Sequence, residues 1–279
     1  MSSYKFIALI FIAGNALAAG DGFMIGGGVE SDNEDGISAS AVGGFGLAEN
    51  TWVSAGVAKS SVELARGREL EALYADVELD HYFDPVGIRI GAAYWGDSDV
   101  LESNDWRASI YWRNEAVTLA AEYEFRDFDF IIPSIDLVTS RELMFDADGI
   151  GVSARFKMSE STSLRLAGKK YDYSVPFRPV ENVDAASLVT VSRLSLINTL
   201  VDHRASVSLG IDQGLKRWEI DVATWEDVIA GSRTNSVTLR YLMPMADKSD
   251  IEFSLGYDDS DLYGDVTFFS LYLYFYGAD

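Results

Sequence analysis

The 279-residue chain has no cysteine and only two histidines. Without cysteine there are no disulfides, no thiolate metal sites and no lipidated N-terminal cysteine, a composition compatible with an oxidising compartment. Basic residues are also scarce: 22 Lys and Arg stand against 44 Asp and Glu, a formal net charge of -22. Nucleic-acid phosphates need Lys and Arg, so this balance argues against a nucleic-acid partner. No Pro- or Ser-rich linker divides the chain, which points to one domain. After residue 18 no stretch approaches the roughly 18 consecutive apolar residues of a membrane-spanning helix.

At the N-terminus, "MSSYKFIALIFIAGNALAAG" places a single basic residue, Lys5, before an apolar run from Phe6 to Ala13, then small residues ending in Ala16-Leu17-Ala18. Charge, short apolar core and an A-x-A site in that order predict a secretory signal peptide at 1–18, leaving 19–279 as the mature domain.

What the rest of the chain has in abundance is alternation. In "LYADVELDHYF", 73 to 83, Leu73, Ala75, Val77 and Leu79 interleave with Asp76, Glu78 and Asp80. Side chains of successive strand residues point to opposite faces, so this is a strand with one apolar and one acidic face. The same repeat predicts strands at Phe23–Glu30, Ile37–Leu47, Trp52–Val62, Glu71–Phe83, Gly87–Trp95, Asp105–Arg113 and Ala116–Phe128. It continues at Ala147–Met158, Thr162–Tyr173, Arg204–Asp212, Lys216–Trp225, Asn235–Met243, Asp250–Asp258 and Asp265–Tyr276. These lengths resemble the roughly 9 to 11 residues that cross a bilayer at a tilt. Connections such as 48–50, 84–86, 114–115 and 159–161 are short, whereas 30–36, 96–105 and 129–146 read as longer, acid-rich loops.

Full-length charges sit in mid-strand on the polar face, strand after strand. That fits an all-β, antiparallel transmembrane β-barrel with a closed polar lumen, of about 14 strands, with 12 or 16 as alternatives. Trp52, Tyr82, Phe83, Tyr94, Trp95, Trp106, Trp112, Trp218, Trp225, Tyr241 and Tyr257 collect near strand ends, where membrane interfaces favour Trp and Tyr. The segment 183–203 resists the scheme: a further strand would make the count odd, while Leu188, Val191, Leu194, Ile197 and Val201 lie at helical spacing behind Asp184. A short helix near 184–202, joining two strands, is the expectation.

With these features in place, the chain resembles the Gram-negative outer-membrane β-barrels of the broad porin-like class over nearly all of its mature length. The final strand, "DVTFFSLYLYFYGAD", resembles their C-terminal assembly signal, with Phe269, Leu271, Leu273 and Phe275 on one face. It departs in continuing through Tyr276-Gly277-Ala278-Asp279 instead of ending on the aromatic. The resemblance implies residence in the outer membrane, contact with lipid and lipopolysaccharide, and handling by the barrel assembly machinery. It implies no cofactor.

The lumen candidates follow. Asp76, Glu78 and Asp80 with Glu122 and Glu124 make an acidic side, while Arg107 and Arg113, Arg155 and Lys157, and Arg165 and Lys169 make basic patches on other strands. Segregated lumen charge sets ion preference in a pore. The alternative is that these groups pair across the lumen, Arg89 beside the acidic ladder for example, and simply fill it. The first functional reading is thus a channel for passive diffusion of ions or small hydrophilic solutes; the second is a closed barrel with an envelope structural, adhesion or assembly role.

Loop acids such as Asp32, Glu34 and Asp35 match a calcium loop only in part, so no metal site is expected. An outer-membrane hydrolase is the third reading. Neither His81 nor His203 has a Ser two residues on, and Asp80 and Asp202, as chain neighbours, would point to the opposite strand face. Hydrolysis would lack its base and orienter, and the expectation is a non-enzyme, with His81 an interfacial side chain.

Overall fold

The structure, a computed structural model, describes residues 22–64, 68–97, 100–132, 141–175, 200–228, 231–261 and 263–277. These form fourteen strands: β1 (Phe23–Asp32), β2 (Ile37–Ala48), β3 (Thr51–Leu64), β4 (Arg68–Tyr82), β5 (Val86–Asp97), β6 (Leu101–Arg113) and β7 (Val117–Ile132). The second half comprises β8 (Arg141–Lys157), β9 (Thr162–Tyr173), β10 (Val201–Gln213), β11 (Lys216–Asp227), β12 (Arg233–Ala246), β13 (Ser249–Ser260) and β14 (Gly264–Gly277). Each pairs antiparallel with its neighbours in sequence, and β1 pairs with β14, closing the sheet into a barrel with no free edge.

Alternation becomes two surfaces. Outside lie the apolar positions, left open to the surroundings: Ile90 is 52% exposed, Ile150 69% and Leu255 56%. An apolar surface that continues from strand to strand is far larger than a water-soluble monomer exposes, and lipid is the solvent that removes its cost. Aromatics on this convex face gather toward its two rims. Trp112, Trp218 and Tyr241 lie near the end that carries both chain termini, with the Trp218 and Tyr241 rings stacked at 4.1 Å, and Trp106 and Tyr257 lie toward the other. Trp52, Trp95 and Trp225 do not join them. Their register places them on the inner face, opposite Asp80, Tyr74 and Arg204 respectively.

Two expected loops are strand instead. Residues 101–105 belong to β6, because the acid-rich tract still alternates: Leu101, Ser103 and Asp105 are buried inward. The loop expected at 129–146 shrinks in the same way, since β7 runs to Ile132 and β8 begins at Arg141. At 30–36 the connection is a tight turn in which Asp32 Oδ1 accepts the amides of Glu34 and Gly36 at 2.9 and 2.7 Å. The signal peptide and the helix expected near 184–202 lie outside the described residues, except that Val201 already opens β10. Strand β14 pairs through Tyr276 and Gly277 with Met24 and Phe23, so the residues after Phe275 complete the closing strand.

Candidate functional site: the concave face

Contacts that skip a strand define the concave face, because side chains two strands apart converge only inside a curved sheet. Across β5, Tyr111 donates to Asp80 at 2.7 Å and Arg107 Nη2 lies 3.5 Å from Asp76. Across β8, Lys169 Nζ stands 2.9 Å from Glu124 and 3.2 Å from Glu122, and Tyr171 donates to Glu124 at 2.7 Å. Ser40 reaches Tyr272 across β1 at 3.1 Å, and Arg217 reaches Ser163 across β10 at 3.3 Å.

Most of these contacts run over glycine. Tyr111 crosses Gly87, Lys169 and Tyr171 cross Gly151 and Gly149, Tyr272 crosses Gly28, and Arg217 crosses Gly210. A Cβ at Gly149 would stand 2.6 Å from the Tyr171 ring. Glycine in a strand forfeits packing and entropy, and close approach by a neighbour is a physical reason to keep it there. Large side chains therefore lie flat along the wall instead of projecting into the lumen.

The residues singled out in the sequence fall into two groups. Asp76, Glu78, Asp80, Arg89, Glu122, Glu124 and Lys169 join three ion-pair groups set side by side between β4 and β9. Arg89 Nε is 3.1 Å from Asp80 and 3.4 Å from Glu78, Arg107 holds Asp76, and Lys169 holds Glu122 and Glu124. Arg155, Lys157 and Arg165 form no ion pair among the described residues. Arg155 stands directly opposite Arg165 on the neighbouring strand, with Ser208 on the far side of Arg165.

The sequence did not disclose a third assembly, at the barrel end away from the termini. There Arg126 is 5% exposed, packed over the rings of Phe128, Trp95 and Tyr171 at 4.8, 5.1 and 5.5 Å. Its Nε lies 3.3 Å from Asp105, which also accepts Trp95 Nε1–H at 3.0 Å and the Ser103 hydroxyl. Such a buried charge needs both its partner and its hydrogen bonds. Around it Trp95, Leu101, Phe128, Phe145, Ala147 and Leu200 form an apolar cluster on the inner side of the barrel. Toward mid-lumen a cavity of about 420 Å³ opens between Tyr74, Arg107, Glu124, Lys169 and Arg204. The sequence signal was weak: an arginine flanked by aromatics on a polar face, with no indication of which strand would face it.

The two histidines divide. His81 faces outward, its Nδ1 2.7 Å from Thr51 Oγ1 and its ring edge-on to Phe83. His203 departs from expectation: Asp202 Oδ2 lies 2.7 Å from its Nδ1, because an irregularity of the β10–β11 register between Val201 and His203 breaks the alternation that would have separated them. Among the described residues no three acidic or imidazole side chains converge on a common metal position.

No family model matches the chain, and no curated protein matches it. Solved structures do. The chain is similar to OmpT, an outer-membrane protein of Vibrio cholerae, at 8% identity and a TM-score of 0.53, over 93% of this chain and 98% of that one. The loop L8 deletion mutant of the same protein matches at 10% identity and a TM-score of 0.52, over 93% and 100%. An anion-selective porin from Comamonas acidovorans matches at 8% identity and a TM-score of 0.48, over 92% and 98%. At these identities the likeness is one of fold. The chain has the fold of an outer-membrane β-barrel, a closed antiparallel barrel of fourteen strands with an apolar convex face.

Proposed function

We propose that the protein resides in the outer membrane and is a non-enzymatic channel through which ions and small hydrophilic solutes diffuse. The observation that carries this reading is the contrast between opposite walls. The inner face of β8 and β9 carries Arg155, Lys157 and Arg165, which make no ion pair among the described residues, beside Lys169, which is held by Glu122 and Glu124. Seven strands round, that of β1–β3 presents mostly small side chains, Ser38, Ser40, Ser54 and Ala58, with the rings of Tyr272 and Tyr274 laid flat over Gly28 and Gly26 and Trp52 toward the end nearer the termini. Long charged side chains facing small ones favour a hydrated lumen bearing a transverse field, which is how charged walls set preference among permeating ions.

A liposome-swelling assay with the refolded mature chain tests it. Uptake of small neutral sugars, falling with solute size, is the expected result. One observation favours the closed structural reading: the Trp95–Phe128–Phe145 cluster occupies the inner face at one end. Folded barrels in liposomes that never swell would establish that reading instead. Absence of catalysis is checked in parallel, and hydrolysis of phospholipid or peptide that His203→Ala abolishes would contradict the proposal.

A further inference from the structure

We infer that Arg155 and Arg165 form a binding subsite for the oxyanion group, carboxylate or phosphate, of a small permeating solute. The inference rests on the channel reading and gives that channel a substrate class. Like charges placed directly opposite on neighbouring strands destabilise the pair, yet these two arginines face each other on the concave wall and make no ion pair among the described residues. Every other arginine on the inner face of β5–β7 has a carboxylate or an aromatic ring: Arg89 holds Asp80, Arg107 holds Asp76, Arg126 holds Asp105 and Arg113 lies over Tyr82. A neighbouring lumen arginine, Arg217, is likewise held by Asp212 and Glu219 at 2.9 and 3.1 Å.

Arg217 and Glu219 also bound the cavity of about 260 Å³ into which the pair opens, and Ser163 and Ser208 supply hydroxyls. The Ser208 hydroxyl is committed to Asp221, and Ser163 receives the Arg217 guanidinium. Glu219, the carboxylate lining this cavity, is thus engaged with Arg217, and Asp221 with Ser208, so the charge of Arg155 and Arg165 is left for a ligand. Arg155 also borders an adjoining cavity of about 390 Å³ nearer the termini, which it shares with Lys157, Glu115, Glu160 and Asp212. A guanidinium offers two parallel N–H donors to a carboxylate or phosphate, so two facing forks can hold a polyvalent oxyanion that one ammonium would hold loosely.

The test is equilibrium binding of citrate and of pyrophosphate to the refolded full chain in neutral-detergent micelles, by titration calorimetry at constant ionic strength. The same samples are then placed in planar bilayers, where current block by each anion is measured. One bound anion per chain is expected. Affinity should weaken about 10-fold for each of Arg155→Gln and Arg165→Gln, the loss of one charge-assisted contact each. Lys59→Gln, on the convex face, should bind like the parent. If the glutamine variants fail to reach the heat-modifiable folded form, Arg155→Lys with Arg165→Lys keeps the charge, removes the forks and should still weaken binding.

Citrate bound and pyrophosphate not, or the reverse, names carboxylate or phosphate as the group recognised. Binding by the parent that is unchanged in folded Arg155 and Arg165 variants overturns the subsite, as does no binding of either anion by the parent. Binding lost in the variants while the parent conducts no current overturns the channel and leaves the subsite standing.

Discussion

The smallest decision in this barrel is where to place no side chain. Gly149 and Gly151 let Tyr171 and Lys169 pass over β8 to Glu124, a carboxylate only 7% exposed. Gly149→Val would set a branched side chain against the Tyr171 ring and force it off Glu124. A loss of about 1–3 kcal/mol is expected, read as a lower urea midpoint in micelles; an unchanged midpoint would mean that the crossing contact contributes nothing. Lys169→Met should cost a similar amount, about 1–3 kcal/mol, by leaving a desolvated Glu124 with a weaker set of partners. The double variant Lys169→Met, Glu124→Gln should recover part of that loss, and a double variant no better than Lys169→Met would contradict the pairing. The alternation in sequence made Glu124 and Lys169 legible as inner-face residues. Their meeting was not legible, because it depends on which strand is skipped and on register, neither of which one chain's alternation encodes.

At the scale of the element, each strand presents one face to lipid and one to the lumen, so the same substitution should have unequal effects on the two faces. On β8, Ile150→Arg places a charge on the convex face and should destabilise by about 2–4 kcal/mol if it lies near the bilayer midplane. Ser153→Asp, on the inner face beside Arg155, should change stability by less than about 1 kcal/mol, since the lumen face tolerates charge and the new carboxylate has a cation within reach. Equilibrium unfolding from lipid vesicles measures both, and equal costs would contradict the assignment of faces. Strand number was readable because period 2 persists through nearly every element. Strand ends were not, because composition and periodicity disagree there: 101–105 is acid-rich like a loop yet alternates, and Asp105 is held inside by Trp95, Ser103 and Arg126. The displaced aromatics have a similar cause. Sequence placed Trp95 and Trp225 near strand ends, but only pairing with Tyr74 and Arg204 shows that they point inward.

For the whole molecule the acidic balance conceals a sorting of charge around the lumen. The carboxylates of β4 are tied to Arg89 and Arg107, while β8 and β9 hold Arg155 and Arg165 face to face. A molecule acting only as a filled envelope strut would gain stability by pairing those arginines, and the sectors differ in the way a selective passage requires. Single-channel current through the refolded mature chain in a planar bilayer, under a salt gradient, reads this sorting of charge. Stable openings are expected, with ion preference shifting toward anions in Asp76→Asn with Glu78→Gln and toward cations in Arg155→Gln with Arg165→Gln, both shifts shrinking at high salt as screening sets in. A folded, heat-modifiable barrel that conducts nothing, or one whose reversal potential is the same in both double variants as in the parent, would contradict it.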